Sequence, residues 1–175
     1  MDFELSQDQK VLQKSVRDFV QKEIRPLAIQ IDEQHHIPEE LVDKMRKLGF
    51  MGSYLPEAYG GAGLDILSYA IVVEQVSQAC ASSGILISAH TSLACDPINQ
   101  FGTQEQKMKF LTPLATGEKI GCILLTEPEA GSDPAGLAST YRRDGDQFII
   151  NGSKIFITNG GYRGIGILFA THDKR

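Results

Sequence analysis

Apolar positions recur at helical spacing through the first two-thirds of the chain and give way to alternation after Lys119. Val11, Leu12, Val16, Phe19 and Val20 form one stripe, which Ile24, Leu27, Ala28 and Ile31 continue. Ser6 and Gln9 precede that stripe with the spacing of a capping box, which predicts a helix start. Pro26 lies within the stripe and is expected to kink the helix or divide it, because proline lacks an N–H and crowds the preceding turn. Pro38, at a first helical position, opens a second helix carrying Leu41, Val42, Met45 and Leu48, and Gly49 closes it. Further helices are predicted from about Ile66 through Ala81 and from about Gly84 to Phe101. Thr103 and Gln106 form another capping box, starting a fifth helix that carries Met108, Phe110 and Leu111 and ends before Gly117.

Beyond Lys119 the run "IGCILLT" reads as a strand that breaks into the loop "TEPEAGSDPAG". The segment "LASTYRRDGDQFIINGSKIFITNGG" alternates apolar and polar residues and contains the hairpin dipeptides Asp144-Gly145 and Asn151-Gly152. A final strand is predicted in "GIGILFAT". The expected fold is α+β: an all-helical N-terminal domain over residues 1–117, then the start of an antiparallel β-barrel-like domain over residues 118–175. A closing β domain needs its edges paired, so a last apolar strand without a sequel predicts an unfinished sheet and a truncated chain.

Composition narrows the function classes. At 42% hydrophobic and 22% charged, the chain has the make-up of an ordinary globular protein. A formal net charge of −5 provides no basic patch, which argues against nucleic acid and anionic membrane as partners. Uncharged runs such as "YAIVV" are far too short to span a bilayer, and "MDFELSQDQK" shows neither a secretory nor an Arg-rich transit pattern. Cys80, Cys95 and Cys122 are scattered, without metal-ligand spacing, and read as reduced thiols of a cytoplasmic protein.

Several stretches carry candidate chemistry. "YGGAG" (Tyr59 to Gly63) invites a phosphate reading, but it follows no predicted strand and lacks the Lys-Ser/Thr of a phosphate loop, so a turn between helices is favoured. His35 and His36 lie in a polar connection without metal spacing. His90 sits among apolar helical residues, either as a satisfied core histidine or on the border of a pocket lined by Ser88, Thr91 and Ser92. Glu127, Glu129 and Asp133 could be taken for a metal cluster or a glycosidase pair; in a Pro-rich loop they read instead as surface and turn-capping carboxylates. Thr126, Gly131 and Ser132 offer neutral donors to a polar heterocycle or a phosphate. "KIFITNGG" (Lys154 to Gly161) repeats that logic, so two strand ends are able to converge on one flat ligand, with Phe156 covering it and Thr126 and Thr158 donating.

"LLTEPEAGSD" followed by "INGSKIFITNGG" resembles the flavin-binding middle domain of the acyl-CoA dehydrogenases. "LPEAYGGAGLD", "SAHTSL" and "INQFGTQEQKMKFLTPLATGEKIG" are similar to that family's N-terminal domain, and "SAHTSL" with "KIFITNGG" resembles its bacterial short-chain, butyryl-CoA-type members. The resemblance covers essentially the whole chain in the right order. It implies non-covalent FAD, a homo-oligomer (usually a tetramer), and α,β-dehydrogenation of an acyl-CoA thioester with electrons passed to an electron-transfer flavoprotein. Carried over by position, the strand from Ile123 through Leu125 to Thr126 lies along the isoalloxazine and Thr126 hydrogen-bonds the ring. Gly131 and Ser132 serve the flavin, and Ser132 also contacts the pantetheine of the substrate. Phe156, Ile157 and Thr158 cover the flavin face away from substrate, with Thr158 donating near N5.

Three features depart from the family pattern. Phe156 stands where the family often has Trp, and "GYRGIGILF" lacks the usual Ala-Asp turn. The family's glutamate base lies in a C-terminal helical domain that this sequence does not contain, so no catalytic residue and no metal ligand is assigned within it. The same features leave room for a second class of function: a non-catalytic acyl-CoA-binding or self-associating interaction protein.

Overall fold

The computed structural model describes residues 4–172. The outermost residues of both expected domains, 1–3 and 173–175, lie outside the described residues.

Both capping boxes form. The Ser6 hydroxyl accepts from the Gln9 amide at the start of α1 (Gln7–Phe19) while the Gln9 side chain accepts from Ser6 N–H. Thr103 and Gln106 do the same ahead of α7 (Gln104–Gln106). Between them lie α2 (Ala28–Gln34), α3 (Glu39–Lys47), α4 (Ile66–Ala79), α5 (Ala81–Ser88) and α6 (Asp96–Phe101), and α8 (Thr112–Ala115) follows. Gly49 ends α3 at a left-handed φ of 74°, as its position after the last apolar residue predicted.

Pro26 interrupts the α-type bonding of its helix, where a kink or a division was expected, and two more prolines do the same. Arg25 N–H reaches five residues back to the Val20 carbonyl, Asp96 N–H to Thr91 and Thr112 N–H to Lys107. Each of these wide π-type bonds ends one residue before a proline: Pro26, Pro97 and Pro113. A proline has no N–H for the carbonyl four residues back, and its ring pushes that carbonyl away. Opening the turn by one residue lets the helix pass that obstacle without stopping.

The helices bury two apolar clusters. Ile24, Met45, Met51, Val76 and Ile87 lie in the first, and Leu55, Cys95, Leu111 and Leu114 in the second. Each fully buried Leu or Ile contributes about 1.5–3 kcal/mol over leaving it in water. The second cluster also receives Ile165 and Ile167 from the strand region, which seats the sheet on the helices.

The strands are β1 (Gly121–Leu124), β2 (Thr140–Asp144), β3 (Gln147–Asn151), β4 (Ile165–Leu168) and β5 (Thr171–His172). The antiparallel expectation holds for the β2–β3 hairpin, which turns through Gly145 at φ 62°. The pairings β1–β4 and β2–β5 are parallel, because each joins strands separated by a long excursion rather than a tight turn. No hairpin forms at Asn151-Gly152, and "KIFIT" is not a strand. Lys154 turns its ammonium inward and Phe156 takes φ 55°, which breaks the extended conformation that alternation predicted.

Candidate functional site

The loop after β1 is closed at its neck by one side chain. Glu127 N–H donates to the Ala130 carbonyl and Ala130 N–H returns the bond. The Glu127 carboxylate then accepts from Ala138 N–H at 2.6 Å and from Ser139 N–H at 3.0 Å, where the chain re-enters β2. Lys154 completes the neck, with Nζ 2.7 Å from Glu127 Oε1 and 2.9 Å from the Leu125 carbonyl oxygen. Both side chains are buried, at 7% exposure for Lys154 and 5% for Glu127. The Lys154 ammonium first, and then the donors at Ser139 and Ala138, hold the Glu127 carboxyl down to about 2, against the opposing pull of burial. The reading of Glu127 as a surface carboxylate is therefore corrected: it is a buried, ionised acceptor. Glu129 and Asp133 are exposed, and Asp133 caps its own turn through Ala135 N–H.

Two segments meet at this neck. Ile155 N–H donates to the Thr126 carbonyl at 3.0 Å, setting the Lys154–Thr158 segment beside the end of β1. The structure thus brings Thr126 close in space to the segment that carries Phe156, Ile157 and Thr158. Ile123, Leu125, Thr126 and Ile157 are half-buried, while Gly131, Ser132, Phe156 and Thr158 are exposed. Among the described residues, the amides of Gly131 and Ser132 and the hydroxyls of Thr126, Ser132 and Thr158 have no hydrogen-bond partner. A Cβ added to Gly131 would meet nothing within 4 Å, so the space before those amides is open. Phe156 holds its ring 89% exposed from a left-handed backbone. A large apolar ring on a conformation that L-residues avoid is a combination that packing alone does not account for.

Asn159 fixes the other end of the segment. At φ 67° its Nδ2 donates to the Leu86 carbonyl at 3.0 Å and to the Gly121 carbonyl at 3.1 Å, binding the turn to α5 and to β1. A cavity of about 790 Å³ opens against that turn, with Thr158, Asn159, Tyr162, Leu86, Ile120 and Arg46 in its wall. That volume lies in the range of small-molecule sites.

The sequence gives Lys154 and Asn159 no distinct role and makes Glu127 look like a surface acid. The Asn-Gly-Gly run was the usable signal for Asn159, since Asn tolerates left-handed backbone. Nothing local marks a Glu and a Lys so far apart in sequence as partners.

His90 belongs to the core rather than to a pocket. It is fully buried; Nδ1 accepts from Gly121 N–H at 2.7 Å, and Nε2 lies 3.1 Å from the Leu114 carbonyl. Those contacts require the neutral ring with its proton on Nε2, and burial pushes its pKa down to about 4. Gly121 has to be glycine here, because a Cβ would collide with the side chain of Ala94. In "YGGAG" the amides of residues 60–64 are all paired internally, to the carbonyls of Glu57, Pro56, Gly52, Leu55 and Ser53 in turn. No donor is left there for a phosphate. His35 and His36 are exposed, and among the described residues no group of three or more His, Cys, Asp or Glu side chains is placed to hold a metal ion. No helix among them is long and apolar enough to cross a membrane.

Comparison with known proteins bears on the family of the chain. Residues 6–118 match the acyl-CoA dehydrogenase N-terminal domain and residues 122–175 match the acyl-CoA dehydrogenase middle domain. A short-chain-specific acyl-CoA dehydrogenase of Clostridium acetobutylicum is 48% identical over 174 residues, covering 99% of this chain and 46% of that protein. The structure of butyryl-CoA dehydrogenase from Megasphaera elsdenii superposes with a TM-score of 0.93 at 43% identity, over 99% of this chain and 46% of that one. An acyl-CoA dehydrogenase from Bacillus anthracis, solved in complex with FAD, gives 0.90 at 37% identity, over 97% of this chain and 30% of that one. The chain spans less than half the length of these relatives, and along that span it belongs to the acyl-CoA dehydrogenase family.

Proposed function

We propose that this chain forms the helical domain, residues 1–117, and the flavin-facing part of the middle domain, residues 118–175, of a cytoplasmic short-chain acyl-CoA dehydrogenase. The observation that carries the reading is the bond from Ile155 N–H to the Thr126 carbonyl, which sets Thr126 beside the segment bearing Thr158 and the exposed, left-handed Phe156, with unpaired amides at Gly131 and Ser132 in the loop that follows Thr126. A flat heterocycle with polar edges needs that combination: an apolar cover for one face and donors at its rim. The residues therefore fit FAD, with which the Bacillus anthracis relative was solved. When bound, the flavin supplies the hydride acceptor for oxidation of the Cα–Cβ bond of a thioester.

The chain's own part is placement. Ile123, Leu125 and Thr126 would lie along the ring, and the Thr126 hydroxyl would donate to it. The Gly131 and Ser132 amides, in the loop closed by the Glu127 neck, would donate to the flavin, and Ser132 would also contact the pantetheine of the acyl-CoA. Phe156 and Ile157 would cover one face of the flavin and exclude water from it, while the Thr158 hydroxyl would donate to the ring as it takes up charge. Glu127 is not the base that removes the α-proton, because its carboxylate already accepts three hydrogen bonds and stays ionised. We assign that base to a residue outside residues 1–175. Homo-oligomerisation and electron transfer to an electron-transfer flavoprotein complete the assignment by family.

Titration of the purified chain with FAD tests it. Binding should quench flavin fluorescence, Ser132→Ala and Phe156→Ala should each weaken it, and butyryl-CoA should leave the bound flavin oxidised. Wild-type affinity in both variants would remove the assignment of the site.

A further inference from the structure

We propose that the buried Glu127–Lys154 ion pair is a shared positioning device, holding the Gly131-Ser132 loop and the Phe156–Thr158 segment in fixed relation so that one flavin meets both. The proposal rests on the flavin assignment for its ligand and on geometry for its mechanism. Neither residue is within the set proposed to touch the cofactor. Lys154 instead bonds the Leu125 carbonyl of that set, and Glu127 holds the neck of the loop that carries Gly131 and Ser132.

The connectivity runs as follows. One Glu127 oxygen takes Ala138 N–H, and the other takes Ser139 N–H together with Lys154 Nζ. With the backbone exchange between Glu127 and Ala130, both ends of the loop are held by one residue. Lys154 donates at once to that carboxylate and to the Leu125 carbonyl, next to Thr126. One residue further on, Ile155 N–H is bonded to the Thr126 carbonyl, and Phe156 follows at φ 55°. So three pieces that lie far apart in sequence, β1's end, the loop return at Ala138-Ser139 and the Phe156 segment, are joined through two adjacent charges. No other ion pair among the described residues has both side chains this deeply buried. A buried pair adds little net stability over an apolar pair, but removing one partner leaves an uncompensated charge and loosens everything bonded to it. Such a pair is suited to defining a geometry, since either loop moves only if the other is released.

Amide hydrogen exchange and FAD titration of the full chain test this with Lys154→Met, Glu127→Gln and the double variant. In the wild type, the amides of Ala138, Ser139 and Ile155 should exchange through one common opening, with the same dependence on added denaturant. In each single variant all three should accelerate by at least about tenfold, the equivalent of about 1.4 kcal/mol, while hairpin amides in β2 and β3 keep their rates. The double variant should lose less than the two single losses combined, because it leaves no charge stranded. FAD affinity should fall about tenfold in Lys154→Met. At saturating FAD, the visible circular dichroism of the bound flavin should also change, a signature that a merely stabilising residue leaves alone. Acceleration confined to one loop, or an unchanged flavin signature at unchanged affinity, overturns the proposal. If the wild type takes up no FAD, the flavin assignment fails by itself, and the exchange data still decide whether the pair couples the loops. Should Lys154→Met not fold, separate denaturant dependences for Ala138, Ser139 and Ile155 in the wild type overturn the coupling, and a common one supports it.

Discussion

Two glycine-bearing loops, Tyr59–Gly63 and Glu129–Asp133, look alike as strings and behave as opposites. In the first, the amides of residues 60–64 all point at carbonyls of the same chain, and an alanine at Gly61 would drive its Cβ into the Leu55 carbonyl. In the second, Gly131 and Ser132 keep their amides unpaired, and a Cβ at Gly131 would touch nothing within 4 Å. Glycine in the first loop lets backbone approach backbone; in the second it leaves room for something else. The destination of the N–H groups, rather than glycine content, separates a closed structural turn from one left open to a ligand.

That contrast can be attacked in order of expected effect. Acid should act first on the strand that carries the open loop. His90 accepts from Gly121 at the head of β1, and its folded pKa of about 4 lies below the ordinary 6.5. The unfolded chain therefore binds a proton between these values that the folded one refuses. Stability should be flat above about pH 6.5 and decline as pH falls towards 4, with up to about 3 kcal/mol lost once His90 is protonated. Urea melts across that range check it, and exchange should loosen β1 before residues 60–64.

Gly61→Ala should cost about 2 kcal/mol, by the overpacking of a site with no space. Gly131→Ala should change stability by less than about 0.5 kcal/mol. Thermal melts of the two variants measure the contrast directly, and equal losses would erase it. Phe156→Gly should go the other way, raising stability by about 1 kcal/mol as left-handed strain is relieved, while FAD affinity drops. Stability and affinity moving apart would mark the ring as kept for its ligand. The smallest stability change is expected from Ser132→Ala, within about 0.5 kcal/mol, with the loss appearing only in flavin binding.

Much of this was legible in the sequence for local reasons. The capping boxes at Ser6 and Thr103 and the glycine at 49 act within a few residues, so their signals are complete in the string. The candidates Thr126, Ser132, Phe156 and Thr158 come from the motifs "TEPEAGSD" and "KIFITNGG", each complete within a few residues. What stayed hidden depends on distant partners. Alternation made "KIFIT" look like a strand, because nothing in it announces that Lys154 will turn inward to Glu127. The same blindness made Glu127 look like one more surface acid. His90 kept two readings until Gly121, 31 positions away, was seen donating to it.

The wide turns before Pro26, Pro97 and Pro113 bear on chain length. Each five-residue bond holds one residue more than an ordinary helical turn, so the chain carries a surplus position at each place. Because the wide turn absorbs that residue, the helix beyond each proline keeps its phase; carried in a regular helix, the same residue would rotate it by about 100°. The register of every apolar face downstream thus survives the added residue, and a deletion of one residue there is tolerable only if the proline goes with it.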